Sequence, residues 1–214
     1  MNHSPIVPLQ TLRNGYFQVY DDNCKSPPPL LTKADVSCYG QTGLSGAKLE
    51  HPRRILHLFT MGFEIDTLEI LLREEEDVVD FIFIVESMRI HFNRQNNGSR
   101  VRKPLVWDKL KFTERFNFLN LSKVIHIVVD EIDMMSGMDE EDRDSEGSDW
   151  AMEYYQNELG LARALEWIDQ TDEIHDDDIF IVGHSDEVLS RDSLQQLKWC
   201  ELSSPVIRGN YTPI

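Results

Sequence analysis

The sequence has few cysteines and few basic residues, and each shortage excludes a class of protein. Three cysteines in 214 residues, Cys24, Cys38 and Cys200, are too few for a dense disulfide framework and lack the CxxC spacing of a zinc site. Lys and Arg number 21 against 38 Asp and Glu, and the resulting net charge of -17 repels nucleic-acid backbones and anionic lipid surfaces. We therefore expect neither nucleic acid nor a membrane surface as a partner.

Long apolar runs and nucleotide-loop motifs are also missing. No window approaches the roughly 18 to 20 consecutive apolar residues of a spanning helix, and residues 1–20 lack the basic region and apolar core of an export signal. The chain as written therefore shows no membrane segment and no signal. Neither a GxGxxG nor a Walker-type loop occurs, so a dinucleotide oxidoreductase and a P-loop NTPase lack their main sequence support.

Composition divides the chain into two parts. Residues 1–52 contain a proline triplet and several glycines, show no sustained helical or strand period, and are predicted to be a tail or linker. Residues 53–214 are predicted to form one α/β domain. Within that domain, residues 130–149 are dominated by Asp and Glu and are predicted to form a solvated loop.

Short apolar runs alternate with helical periods in the second part, which predicts an α/β fold. The predicted strands are Ile55–Phe59, Val78–Val85, Val124–Val129 and Asp178–Val182. The predicted helices are Glu64–Glu76, Trp150–Ile168 and Asp192–Trp199, with a further helical stretch near Asp108–Phe118. Because each crossover returns across a sheet face, we expect a Rossmann-like, mainly parallel sheet with ligands beyond the carboxyl ends of its strands.

Three polar residues follow the last predicted strand. His184, Asp186 and Glu187 emerge where the apolar run DIFIV ends, and close-set oxygen ligands at such a point suit Mg²⁺ or Mn²⁺. The imidazole of His184 is more acceptable to Mn²⁺ than to Mg²⁺. The alternative interpretation, in which these side chains cap a turn or the next helix, stays open on spacing alone.

Other polar positions admit both a functional and a structural interpretation. Glu86 and Ser87 follow the second strand and could approach a nucleotide, or Ser87 could simply cap backbone amides in a turn. The segment His175–Asp178 resembles a metal site in composition, yet it precedes its strand and is interpreted as a solvated loop. His57 and His126 lie inside apolar strands and are interpreted as core or sheet residues.

Residues 53–201 carry a resemblance to a known enzyme family. The segments that carry it are RRILHLFTMGFEIDTLEILLREEEDVVDFIFIVES from Arg53, VIHIVVDE from Val124 and DDDIFIVGHSDEVLSRDSLQQLK from Asp176. In these segments and in their order, the chain resembles the β-1,4-mannosyl-glycoprotein 4-β-N-acetylglucosaminyltransferases, the bisecting GlcNAc transferases of glycosyltransferase family 17. The resemblance covers the amino-terminal part of the catalytic domain, so we expect acceptor-binding elements of the family beyond the position of Ile214.

By this resemblance, the strand-end segment matches the family's D-x-D-E-I-P-x-R-D pattern. Asp186 matches the second aspartate of the pair, Glu187 the glutamate after it, and Arg191 the later arginine. His184 stands where the family has its first aspartate, and Leu189 where it has proline. The resemblance implies a nucleotide-sugar site that includes Asp186, Glu187, Arg191 and Glu86, with Asp186 and His184 as candidate ligands of Mn²⁺ or Mg²⁺.

The resemblance also implies a reaction and a place. The family transfers GlcNAc from UDP-GlcNAc to the β-linked core mannose of N-glycans with inversion, in a fold similar to the nucleotide-binding half of a GT-A glycosyltransferase. A full-length parent would act in the Golgi lumen or at its membrane. Inversion needs a general base, which the sequence does not identify. The alternative hypothesis is a catalytically silent or truncated member that serves as a binding or interaction module.

Four N-x-S/T triplets, at Asn2, Asn97, Asn120 and Asn210, could accept glycan in a lumenal compartment. Asn97 and Asn120 lie in or near predicted loops, where an acceptor asparagine is reachable.

Overall fold

The computed structural model describes residues 35–39, 43–94, 100–130, 148–171, 175 and 177–203, without the side chains of residues 91–94, 100 and 148–152. The strands are β1 (Leu44–Lys48), β2 (Ile55–Met61), β3 (Phe81–Ser87), β4 (Arg89–Arg94), β5 (Arg100–Arg102), β6 (Val124–Val129), β7 (Ile179–His184) and β8 (Cys200–Leu202). The helices are α1 (Ile65–Glu75), α2 (Val106–Leu110), α3 (Ser148–Thr171) and α4 (Arg191–Trp199), with 3-10 turns at Glu114–Phe116 and Leu121–Lys123. Residues 131–147 of the predicted acidic loop lie outside the described part.

Four parallel strands form the central sheet in the order β6-β3-β2-β7. In chain order, β3 pairs with one edge of β2 and β6 pairs with the free edge of β3. After the crossover through α3, β7 pairs with the other edge of β2. This is the strand order 3-2-1-4 of a doubly wound sheet. The predicted Rossmann-like, mainly parallel α/β fold is confirmed.

Both faces of the sheet are covered, which explains why its strands are almost continuously apolar. Alternate residues of β2 pack on opposite faces because successive side chains of a strand point to opposite sides. One face carries Ile55, Phe59 and Met61 towards α1, α2 and α4. The other carries Leu56 and Leu58 towards α3.

The close packing of α3 depends on one glycine. At Gly160, an added Cβ would lie 2.7 Å from Cγ2 of Val85, which is shorter than normal contact between carbon atoms. A hydrogen at this position lets the helix approach β3 closely. Further along the helix, Ala164 and Ile168 are fully buried against the same face.

The folded structure includes part of the segment assigned to a tail. Strand β1 pairs antiparallel with β8, and a disulfide joins Cys38 to Cys200 across a sequence separation of 162. Both sulfurs are buried beside Val36, with Trp199 packed against them. The described chain is therefore tied to the domain from residue 36 onward, well before residue 53.

Two predicted elements differ from the observed ones. The apolar pattern VVDFIFIV begins at Val78, but β3 begins only at Phe81, because Val78 and Val79 turn back to donate backbone hydrogen bonds to the carbonyl of Glu75. Their side chains fill the core below the turn. The helical stretch expected near Asp108–Phe118 is instead the short α2 followed by a 3-10 turn.

Within the part of the chain that the structure describes, no helix combines the length and the apolar character that crossing a membrane requires.

Candidate functional site

The strand order of the central sheet predicts where a ligand binds. In doubly wound sheets, ligands bind beyond the carboxyl ends of the strands at the point where the strand order reverses. Here the reversal lies between β2 and β7, so the place is bounded by Thr60 and Gly62 on one side and by His184 and Asp186 on the other. Three residues that the sequence singles out, His184, Asp186 and Glu187, lie there.

His184 ends β7 directly beside Thr60 of β2, because these two residues are register partners. Its Nδ1 lies 2.8 Å from Oγ1 of Thr60, and its Nε2 lies 3.7 Å from a carboxylate oxygen of Glu153 on α3. The imidazole is 36% exposed. The geometry admits two tautomers. If Nδ1–H donates to Thr60, the lone pair of Nε2 is available to a metal; if Nε2 carries the proton, Nδ1 accepts from the hydroxyl of Thr60 and Nε2–H faces the carboxylate of Glu153.

Asp186 and Glu187 have different environments although they are adjacent. Asp186 is exposed, and no described side chain pairs with it. Glu187 folds back, and its Oε2 accepts a hydrogen bond of 2.9 Å from the backbone N–H of His184. Glu187 therefore caps the turn after β7, as the structural interpretation expects, whereas Asp186 remains open to a ligand.

A glutamate links the two loops that border the site. Oε2 of Glu64, the residue before α1, accepts from the backbone N–H of Gly62 at 3.2 Å and from the hydroxyl of Ser185 at 3.4 Å. Ser185 is itself buried and donates its backbone N–H to the carbonyl of Thr60. These contacts fix the positions of the β2 and β7 loops relative to each other.

Glu86 is turned away from solvent and holds α2 in place. Its side chain is 0% exposed, its Oε1 accepts from the backbone N–H of Val106 at 2.8 Å, and its Oε2 accepts from that of Trp107 at 3.0 Å. The ammonium of Lys103, 5% exposed, lies 3.3 Å from Oε1, and Nε2 of His126 lies 2.9 Å from Oε2. Protein groups thus occupy both oxygens of the carboxylate.

The environment of Glu86 favours its ionised form. Burial by itself raises the pKa of Glu86, but the close contact with His126, the backbone hydrogen bonds from Val106 and Trp107 and the charge of Lys103 outweigh it and hold the pKa below the ordinary value. The neighbouring Ser87 accepts the backbone N–H of Arg89 through its hydroxyl, as a turn-capping serine does.

Arg191 lies away from the other predicted site residues. It begins α4, and its guanidinium donates to the carbonyl of Arg73 at 2.8 Å and lies 3.7 Å from a carboxylate oxygen of Asp77. Its backbone N–H donates to Glu74. These partners belong to the end of α1 and the turn after it, so Arg191 joins two helices rather than facing the carboxyl edge of the sheet.

The acidic group at the start of β7 is the one cluster of potential metal ligands found among the described residues. Side-chain atoms of His175, Asp177 and Asp178 lie within 4.8 Å of one another. Asp178, however, accepts two hydrogen bonds from Arg54 and one from the backbone of His175. Its contacts and its place at the amino edge of the sheet agree with the interpretation as a loop.

Sequence reasoning missed Thr60, Glu64 and Glu153. Thr60 and Glu64 flank the end of β2, and the rule that ligands bind at carboxyl ends applied there as much as after β7. Glu153 could have been found from topology, because a helix that returns across the sheet starts at the carboxyl edge. Its contact with His184 could not have been predicted, since the pairing of β7 with β2 was not predicted.

The fold and the polar carboxyl edge define a Rossmann-like α/β domain with its candidate site at the switch point between β2 and β7. A match to Glycosyltransferase family 17 spans residues 32–210. The chain belongs to glycosyltransferase family 17. Membership implies a nucleotide-sugar donor and an acceptor as the partners. Comparison with curated proteins and with solved structures gave no match.

Proposed function

We propose that this protein binds UDP-GlcNAc at the switch point between β2 and β7 and takes part in transferring GlcNAc to the β-linked core mannose of N-glycans. The observation that carries the proposal is the coincidence of two independent indications. The strand order designates this edge position for a ligand, and the segment that resembles the family's metal-binding pattern, His184 to Glu187, lies at the same position.

The side chains at this point are of the types that bind a divalent cation, although their ligand atoms are not gathered into one cluster as those of His175, Asp177 and Asp178 are. Asp186 offers an exposed carboxylate, His184 offers Nε2, and Glu153 on α3 brings a second carboxylate to the imidazole. We propose Asp186 and His184 as ligands of Mn²⁺ or Mg²⁺, with Glu153 as an additional candidate. Such an ion would neutralise the diphosphate of the donor. Thr60 would hold the ring of His184 in its orientation.

The roles proposed for the other predicted residues follow from their contacts. Glu187 shapes the loop that presents Asp186, and Glu86 positions α2 together with Lys103 beside the carboxyl edge. Arg191 anchors the start of α4 to the end of α1, so its contribution to donor binding would be indirect. We propose the Golgi lumen as the place of action from the resemblance to the family, and the Cys38–Cys200 disulfide agrees with it, because such a bond forms and persists in oxidising compartments.

One observation favours a second candidate function, that of a silent binding module. His184 stands where the family pattern has a carboxylate, and a neutral imidazole contributes no negative charge to a metal site. A member that has lost metal-dependent donor binding could keep the fold as an interaction domain.

Calorimetry with UDP-GlcNAc, with and without Mn²⁺, separates the two functions. If the donor site is present, His184→Asp should strengthen Mn²⁺-dependent binding by about 1–2 kcal/mol, the size of a charge-assisted contact, and Asp186→Asn should weaken it. Asp169→Asn is the matched control, because Asp169 is an exposed acid near the far end of α3. Circular dichroism must show all four proteins folded. Absence of binding in every protein, with no gain from His184→Asp, would refute the donor site and leave the silent module.

A further inference from the structure

An asparagine at the amino edge of the sheet has the sequence and the surroundings of a modification site. Asn120 begins the triplet Asn120-Leu121-Ser122, lies just before the 3-10 turn that leads into β6, and is exposed. The residues beside it are fixed, because Leu119 is buried and Leu121 packs against the core. The backbone therefore holds the side chain of Asn120 on the outside of the domain.

The hydrogen bonds of Asn120 use only one of its two side-chain polar atoms. Its Oδ1 accepts from the backbone N–H of Ser122 at 3.1 Å and from the hydroxyl of Ser122 at 2.9 Å. Among the contacts of the described residues, none uses its Nδ2. An N-linked sugar is attached through Nδ2 and leaves the amide oxygen as an acceptor. The folded domain can therefore hold a glycan here without losing a hydrogen bond.

The position also leaves the candidate donor site unobstructed. Asn120 precedes β6 at the amino ends of the parallel strands, whereas His184 and Asp186 lie beyond the carboxyl ends. A sheet strand of six residues, about 20 Å long, separates the two edges. The disulfide between Cys38 and Cys200 indicates that the chain folds in an oxidising compartment, which in eukaryotic cells is also where asparagine glycosylation takes place.

We propose that Asn120 carries an N-linked glycan. The donor is a lipid-diphosphate-linked oligosaccharide. In the transfer, a bond forms between the anomeric carbon of the oligosaccharide and Nδ2 of Asn120, and the bond from that carbon to the lipid diphosphate breaks. The amide nitrogen gives up one proton to a base of the transferring enzyme, and the lipid diphosphate leaves.

To test this, the chain is translated with an added export signal in the presence of endoplasmic-reticulum microsomes. Only the translocated, protease-protected product is analysed. In the background of Asn2→Gln, Asn97→Gln and Asn210→Gln, Asn120 is the remaining acceptor. We expect one mobility shift that a peptide N-glycosidase removes. Ser122→Ala should abolish the shift and Ser122→Thr should retain it. Asn117→Gln, which changes an exposed asparagine outside any triplet in the same segment, is the matched control and should retain it.

A second measurement does not depend on the variants. Wild-type translocated protein is treated with the glycosidase in heavy-oxygen water, and mass spectrometry then locates labelled aspartate in the peptide that contains residue 120. Label at residue 120 supports the proposal. An unlabelled Asn120 in translocated protein, or a shift that persists in Ser122→Ala, would overturn it.

Discussion

Replacing Glu86 with glutamine tests how the buried carboxylate network supports the domain. Glutamine keeps the shape of the side chain but presents an NH₂ group in place of one oxygen. The two oxygens of the native carboxylate accept hydrogen bonds from the backbone N–H groups of Val106 and Trp107, one each. In Glu86→Gln, one of these N–H groups therefore faces the side-chain NH₂ group and loses its acceptor. The substitution also leaves the nearly buried ammonium of Lys103 without its counter-charge.

The magnitude follows from these two losses. A buried donor without a partner costs about 1–3 kcal/mol, and removing one member of a buried ion pair costs about 3–5 kcal/mol. The two costs share the same site and do not add in full, so we expect Glu86→Gln to lower the free energy of unfolding by about 3–5 kcal/mol. A double variant that adds Lys103→Met should recover part of this loss, because it removes the unpaired charge.

Urea unfolding followed by circular dichroism measures the change. Glu158→Gln is the matched control, because Glu158 is exposed on α3, and its effect should stay within about 0.5 kcal/mol. A loss below about 1 kcal/mol for Glu86→Gln, or no recovery in the double variant, would contradict the assigned role of the network.

The same pair of proteins yields a pH dependence. Because the folded-state pKa of Glu86 lies below its ordinary value, the stability contributed by its ionised form is complete above the unfolded pKa of about 4.3 and is lost as the pH falls through the folded pKa. The difference in stability between wild type and Glu86→Gln should therefore narrow as the pH falls below about 4. A difference that widens below about pH 4 would have the wrong sign.

Two further substitutions test the packing and the covalent closure of the domain. Gly160→Ala should lower the free energy of unfolding by about 1–3 kcal/mol despite the better helix propensity of alanine, and adding Val85→Ala should recover part of that loss in the same urea assay. A Gly160→Ala protein more stable than wild type would disprove the close approach of α3 to β3. In a Cys24→Ser background, the double substitution Cys38→Ala and Cys200→Ala should lower the free energy of unfolding by up to about 5 kcal/mol, which is the chain-entropy value for a sequence separation of 162. Equal urea midpoints with and without the disulfide would exclude this contribution.

The sequence was sufficient to predict the layers of the fold because each central strand is a short apolar run between polar segments. The strand Val124–Val129 was predicted with its observed bounds, and the helix predicted as Trp150–Ile168 lies inside α3. The start of β3 was misplaced because Val78 and Val79 are apolar for a different reason, namely that they fill the core from a turn. Periodicity alone does not distinguish these two uses of valine.

The candidate site was only partly predictable. The carboxyl-end rule correctly directed attention to the residues after β7, but the orientation of a side chain depends on register and on neighbours far away in the sequence. Glu86 faces α2 because it shares the strand side of Ile82 and Ile84, and the donors that occupy it come from residues 103–126. Arg191 lies outside the candidate site because the chain runs from the end of β7 to the end of α1 before α4 begins.

The bond between Cys38 and Cys200 also constrains the order of events during synthesis. Cys38 leaves the ribosome before the central sheet is made, whereas its partner Cys200 follows only after all four strands of that sheet. Until then, Cys24 is the cysteine nearest to Cys38 along the chain, and a bond between those two would close a short and non-native ring. Formation of the native disulfide therefore reports that all strands of the central sheet have been synthesised, and a chain released before residue 200 would carry the thiol of Cys38 without its native partner.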